Sequence, residues 1–208
     1  MFLVPTDSAG YRLLCNTPVM GNSGTDLFSH GEIAFENCRI PADQLLGPRG
    51  SGFRLAQSRL GPGRIHHCMR WLGICERALA MMIERAATRV IDPDGRRLGD
   101  SDIVRAWIAE SVAEIRAARL LVLHTAWRIG QAGAKAARDD ISIIKFHVAD
   151  VLQRVVDRAL QVHGGLGMTD YTLLAWFYRE ERAARIYDGP DEVHKISVAR
   201  RMLRDHAG

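Results

Sequence analysis

The sequence predicts a mainly α-helical protein: an antiparallel four-helix-type bundle preceded by a short β segment. Three observations carry that expectation. From Gly52 onward apolar residues recur at helical spacing, most plainly Ile144, Val148, Val151, Val155, Ala159 and Val162, at steps of 4, 3, 4, 4 and 3. Residues 1–47 have another texture, with short strand-like runs between turns rich in Gly, Asn, Ser and Asp. Neither an internal repeat nor a low-complexity tract points to a different architecture.

The β segment holds two runs, Tyr11-Arg12-Leu13-Leu14-Cys15 and Glu32-Ile33-Ala34-Phe35-Glu36. The second alternates polar and apolar residues, as a half-buried strand does. Two or three short strands make no core of their own, so this piece is expected to lean on something else. Pro41 and Gly47-Pro48 punctuate the change to helices. A long helix is expected over about residues 52–89, disturbed at Gly61-Pro62-Gly63, where a proline removes a donor and crowds the previous turn. Asp92-Pro93-Asp94-Gly95 reads as a turn. Asp100 or Ser101 then caps a second helix reaching Ile129, with Gly130 as its stop. That helix is apolar nearly all round, which puts it at the centre of the bundle. A third covers about 139–163, and two shorter ones about 173–187 and 191–203, with Glu181 and Arg185 as an i, i+4 pair. The expected division is 1–47 and 48–208.

Composition narrows the function classes. A chain of 208 residues, 47% hydrophobic and 25% charged, makes one well-buried globular domain with room for a small appendage. No apolar run approaches the ~20 residues of a membrane span, and the first residues lack the basic and apolar regions of a signal peptide. The four cysteines form no CxxC pair. Cys68 and Cys75 lie seven apart on one helix face, a packing pattern. A reduced, cytoplasmic setting is expected. The net charge of +4 comes from 25 arginines and three lysines, with no basic run interleaved with aromatics, so no nucleic-acid partner is expected. Such a surface suits a phosphorylated ligand without identifying one. His66 and His67 are adjacent and face different ways, and the other histidines show no metal-ligand spacing.

Two motifs near the C-terminus carry chemistry. Gln161-Val162-His163-Gly164-Gly165-Leu166-Gly167 ends an apolar helix in a glycine turn, which exposes backbone N–H groups and leaves room for a diphosphate or a ring. By itself such a turn more often just ends a helix. Ile186-Tyr187-Asp188-Gly189-Pro190-Asp191-Glu192-Val193-His194 sets a carboxylate against a flexible glycine and a helix-starting proline. By local chemistry Asp188 is either a cap for the last helix or a catalytic base.

Together the motifs resemble the C-terminal signature of the acyl-CoA dehydrogenase flavoenzymes, and Asp188-Gly189-Pro190-Asp191-Glu192-Val193-His194 is most similar to the branch containing family members ten and eleven. The resemblance covers essentially the whole chain, which corresponds to the C-terminal half of such an enzyme. It marks residues 1–47 as the remnant of a middle β-barrel and 48–208 as the helical domain bearing the base. It implies a fragment or the product of a split gene, with the N-terminal portion as a separate chain. The implied activity is α,β-dehydrogenation of an acyl-CoA thioester, as in fatty-acid β-oxidation. FAD is the implied cofactor, and an electron-transfer flavoprotein or similar acceptor and a homodimer or homotetramer are the implied partners.

Residue by residue, the resemblance gives Asp188 the place of the base, one methylene shorter than the usual Glu, as is normal in this branch. Gly63 occupies the slot of an alternative Glu base in isovaleryl-type relatives, so no rival carboxylate stands there. Gly61, Pro62, Gly63, Arg64 and Gly189 border the substrate, although Gly61-Pro62-Gly63 also reads as a simple helix irregularity. Gln161, Gly164 and Gly165 meet the adenosine half of an FAD bound mainly by another subunit, and Arg89 reaches its pyrophosphate. The usual Arg-x-x-Phe-Gly departs here to Arg89-Val90-Ile91-Asp92-Pro93. Pro190, Asp191 and Glu192 fall in the flavin-contacting segment, Glu192 with a carboxylate for a ribose hydroxyl. Two alternatives stay open: a non-enzymatic helical assembly subunit, and a related acyl-CoA or nitroalkane oxidase.

Overall fold

The computed structural model describes residues 1–24 and 30–207, the side chains of Pro62 and Ala207 apart. The chain divides into two compact units, Met1–Arg59 and Leu60–Gly208.

In the first unit β1 (Tyr11–Asn16) pairs antiparallel with β2 (Gly31–Phe35), Tyr11 opposite Phe35 and Leu13 opposite Ile33, with an irregularity between Leu13 and Cys15. The half-buried strand expected at 32–36 is corrected. Ile33 is 44% and Phe35 59% exposed. Alternation does divide the side chains between two faces, but a two-stranded ribbon offers neither face anything to bury against within its own unit.

The long helix α1 (Gly52–Thr88) runs through Gly61-Pro62-Gly63 and crosses the division between the units. Proline withholds one N–H from the ladder, yet the helix continues. Its buried stripe is Cys68, Trp71, Cys75, Ala78 and Met82, all fully buried, at steps of 3, 4, 3 and 4. The segment after it folds back as a turn, with Gly95 in the left-handed region and Arg96 N–H bound to Asp92 Oδ1 at 3.0 Å.

Helix α2 (Asp102–Ala136) passes the expected stop. Gly130 takes helical dihedrals, a cost of only about 1 kcal/mol, and the break comes at Gly133, with φ 78°. Nor is α2 central. Val104, Ile115, Ala118 and Val122 are buried, while Ile103, Leu120, Leu123 and Trp127 are 56–69% exposed. One face serves this chain's core and the opposite apolar face is uncovered.

Helix α3 (Arg138–His163) is the central one: Ile144, Val148, Val151, Leu152 and Val155 are fully buried. Ion pairs show the helix directions. Asp140, Arg154 and Arg158 of α3 meet Arg128, Glu114 and Glu110 of α2, so numbers rise in one helix as they fall in the other. The same holds for α1 and α2, through Glu76–Arg119 and the approach of Gly99 to Ala86. It holds again for α3 and α5 (Asp191–Ala207), through Lys145–Asp191 and Asp139–Arg201. These four helices form the antiparallel bundle.

The helix expected over 173–187 is α4 (Leu174–Glu180) followed by a 3₁₀ turn, Glu181–Arg185. The Gln153 side chain donates to the Glu181 carbonyl at 2.8 Å, taking the acceptor that a continuing α-helix would use. The expected Glu181–Arg185 pair is therefore absent. Glu181 meets Arg70 at 3.1 Å and Arg185 meets Asp191 at 2.8 Å.

Candidate functional site

Between the 3₁₀ turn and α5 the backbone turns sharply. Asp188 stands in the left-handed region at φ 54°, and Gly189 follows at φ 100°. Left-handed backbone favours Gly, Asn and Asp. A Cβ on Gly189 would lie 2.9 Å from His194 Nε2, so both dihedral and space reserve this position for glycine.

The fixed point of the turn is the Asp188 carbonyl oxygen. It accepts from Arg64 Nε at 3.1 Å, from Arg64 Nη2 at 2.8 Å and from His194 Nε2 at 3.2 Å. Burial lowers the pKa of His194, which keeps the ring neutral, and the carbonyl partner assigns its proton to Nε2. Burial lowers that of Arg64 as well, against the charge of Asp188.

With the carbonyl held, the carboxylate remains available. Its side chain is 15% exposed, and His67 Nε2 lies 3.0 Å from Oδ2, outside hydrogen-bonding geometry. No N–H of α5 bonds to the carboxylate among the described residues, so Asp188 is not a side-chain cap. The His67 ring packs against Tyr187 and Trp71, at centroid distances of 5.2 and 5.9 Å. Tyr187 Oη accepts from Trp71 Nε1 at 3.1 Å and from Arg70 Nη2 at 2.7 Å.

Beneath this layer lies a buried charge cluster. Lys145, fully buried, has Nζ 3.5 Å from Asp191 Oδ1, and neither atom has a hydrogen-bond partner. Asp191 Oδ2 accepts from Arg185 Nε at 2.8 Å. Burial lowers the Lys145 pKa, partly offset by Asp191. The expected flavin contact of Asp191 is corrected: at 1% exposure its carboxylate is turned to Lys145 and Arg185.

The glycine turn is a second locus. Gly164 ends α3 at φ 59°, and Gly164 and Gly165 are exposed, with nothing within 4 Å of where a Cβ would stand. Gln161 is exposed beside them, as are Arg89 at the end of α1 and Pro190 and Glu192 at the start of α5. A groove of about 230 Å³ is lined by Glu84, Arg85, Thr88, His163, Leu166 and Thr172 with Met81, and Arg85 Nε there is buried without a partner. Gly61 and Gly63 likewise face open space, three and one residues before Arg64 in the same helix; the Pro62 side chain lies outside the described residues.

The profile of the acyl-CoA dehydrogenase C-terminal domain matches residues 50–203. FadE2 of Mycobacterium tuberculosis, named a probable acyl-CoA dehydrogenase, is 51% identical over 98% of this chain and 49% of its own length. This chain belongs to the acyl-CoA dehydrogenase family. Human acyl-CoA dehydrogenase family member 11 is 41% identical over the whole chain, which covers 26% of that protein. Butyryl-CoA dehydrogenase of Megasphaera elsdenii superposes with a TM-score of 0.85 at 30% identity, over 97% of this chain and 51% of that one. The chain thus spans about half or less of the length of these acyl-CoA dehydrogenases.

Within this acyl-CoA dehydrogenase domain the fold brings Arg64 to Asp188 and Gly189, a segment far from it in sequence. Sequence reasoning missed His67, Trp71, Tyr187, Lys145 and His194. A signal existed for some: Arg64, His67 and Trp71 follow steps of 3 and 4 on α1, one helix face. Lys145 interrupts the apolar stripe of α3 one residue after Ile144, where a lysine needs a buried partner.

Proposed function

We propose that this chain is the base-bearing, cofactor-clamping domain of an FAD-dependent acyl-CoA dehydrogenase, with Asp188 as the base that removes the α proton of an acyl-CoA thioester. The observation that carries the reading is the division of labour at Asp188. Two side chains hold its carbonyl, while its carboxylate takes no hydrogen bond at the buried Oδ2 and the side chain keeps 15% exposure. A cap would spend the carboxylate on backbone N–H groups; a base must keep it. Gly61, Gly63 and Gly189 leave the approach without side chains, and no second carboxylate stands at position 63. Pro62 and Arg64 complete the proposed substrate border.

FAD, when bound, supplies the acceptor for the hydride that leaves the β carbon. The residues present suit part of such a cofactor. Exposed glycines at 164 and 165 let a ligand approach the backbone, and the groove holds an unpartnered guanidinium N–H. Gln161, Arg89, Pro190 and Glu192 are exposed at the positions proposed to contact it. The uncovered apolar face of α2 supports self-association as a homodimer or homotetramer. An electron-transfer flavoprotein or a similar acceptor is the proposed electron partner, and a separate chain carrying the rest of the family fold a further one.

Asp188→Asn tests the base. Asn keeps the shape and accepts the left-handed backbone, so the fold and any bound flavin are retained. Bleaching of the flavin by saturated acyl-CoA under anaerobic conditions should slow on the order of 10²–10⁴-fold. The assay uses flavin-loaded protein, with the N-terminal portion of a family member supplied in trans. Undiminished bleaching together with a lowered melting point makes Asp188 structural and removes the assignment.

A further inference from the structure

We propose that His67 is the proton outlet of Asp188, a relay that takes the proton from the carboxyl group and passes it to water. This rests on the reading of Asp188 as the base. A carboxylate that has taken an α proton becomes a neutral acid, and it must lose that proton before it can act again. Around Asp188 the charged and titratable groups are Arg64 and Arg70 of α1, Lys145 of α3, Glu181 of the 3₁₀ turn, Tyr187, and Asp191 and His194 of α5.

Geometry assigns most of them to other partners. Arg64 and His194 donate to the Asp188 carbonyl, not to its carboxylate. Arg70 is bound to Glu181 and Tyr187, and Lys145 faces Asp191. Only His67, among the described residues, brings a titratable nitrogen to the carboxylate, with Nε2 at 3.0 Å from Oδ2. It also reaches the surface: its side chain is 30% exposed against 15% for Asp188. Trp71 and Tyr187 pack against the ring and hold it there.

The step balances without any co-reactant. The O–H bond of protonated Asp188 breaks and an N–H bond forms at Nε2 of neutral His67, giving carboxylate and imidazolium side by side. The imidazolium then releases its proton to water, which restores the carboxylate of Asp188 and the neutral imidazole of His67. The attraction between the two charged forms favours the transfer, since an opposite charge within ~4–6 Å raises the pKa of a histidine.

The first test uses the 208-residue chain without cofactor. The imidazole resonances of His67, assigned by their loss in His67→Gln, are followed by NMR against pH in the native chain and in Asp188→Asn. Asn removes the carboxylate charge and leaves the other named groups in place. His67 should lose its proton at a pH higher by about 1 unit or more in the native chain; an unchanged titration overturns the proposal. The second test measures deuterium entering the α carbon of an acyl-CoA from heavy water in flavin-loaded protein. Relative to flavin reduction, His67→Gln should lower that exchange by on the order of tenfold. Native exchange in His67→Gln overturns the relay, whereas exchange that survives in Asp188→Asn overturns the base assignment instead.

Discussion

Replacing Asp191 by Asn should destabilise the domain more than any other single-atom change near the site. Lys145 is fully buried and Asp191 is the carboxylate facing its ammonium group. Breaking a buried pair by removing one partner costs about 3–5 kcal/mol, because the remaining charge is stranded. Two features of the structure place Asp191→Asn within that range. Arg185, the other partner, is 36% exposed and turns to water at little cost, so the stranded charge is Lys145 alone. Asp191 also opens α5, where the helix dipole favours a negative charge. For a domain of this size the loss corresponds to a fall in Tm of roughly 10 °C.

Two further measurements isolate the cause. Loss of Asp191 lowers the already depressed Lys145 pKa further, so the unfolded chain binds the extra proton. Stability of the variant therefore rises with pH in the window between the depressed folded pKa and the ordinary 10.5. Lys145→Met added to Asp191→Asn removes the stranded charge and should return about 1–3 kcal/mol. Thermal and denaturant melts of the native chain, both single variants and the double variant provide the test. An Asp191→Asn loss below ~1 kcal/mol, or a double variant no more stable than Asp191→Asn, refutes the reasoning.

Tyr187→Phe leaves Trp71 Nε1 buried without its acceptor and should cost about 1–3 kcal/mol in denaturant melts; a neutral result means another acceptor serves the indole. The depressed pKa of His194 makes the unfolded chain take up its proton first, so stability from this group falls as pH drops below about the ordinary 6.5. His194→Gln, which keeps a donor for the Asp188 carbonyl, should flatten that fall; an equal fall in both proteins refutes it. Burial pushes the thiols of Cys68 and Cys75 up to about 12, so an alkylating reagent at mildly alkaline pH should modify Cys15 and Cys38 in the native chain and the other two only on unfolding. Four fast thiols would show that the core is open.

The buried stripes of α1 and α3 were legible because each repeats an apolar residue at steps of 3 and 4, and burial on one side of a helix needs nothing else. The Asp188 segment was legible through its run of special residues, whose left-handed dihedrals and close approach to His194 the structure then supplies. What stayed hidden depends on partners far away in sequence. Gln153 ends α4 by claiming the Glu181 carbonyl, and no local pattern around 181 announces it. His67 looked like one of two unremarkable neighbours until the fold brought Asp188 to it from more than a hundred positions away. The exposed side chains of β2 and α2 misled in the opposite sense, since periodicity marks which residues can be buried and not whether this chain buries them.

The left-handed turn at Asp188 and Gly189 also changes how tolerance to substitution should be interpreted at this site. In a saturation scan scored only for folded yield, position 188 should accept Asn and Gly, penalise Glu and reject β-branched residues, because those side chains fit left-handed backbone poorly. Position 189 should accept nothing but glycine, since any Cβ meets the His194 ring. Such a profile imitates that of a catalytic pair even in a protein with no activity left to lose. The shorter carboxylate at 188 is then as much a choice of backbone as of chemistry, and an enzyme redesigned to carry Glu there needs its turn rebuilt before its base can be judged.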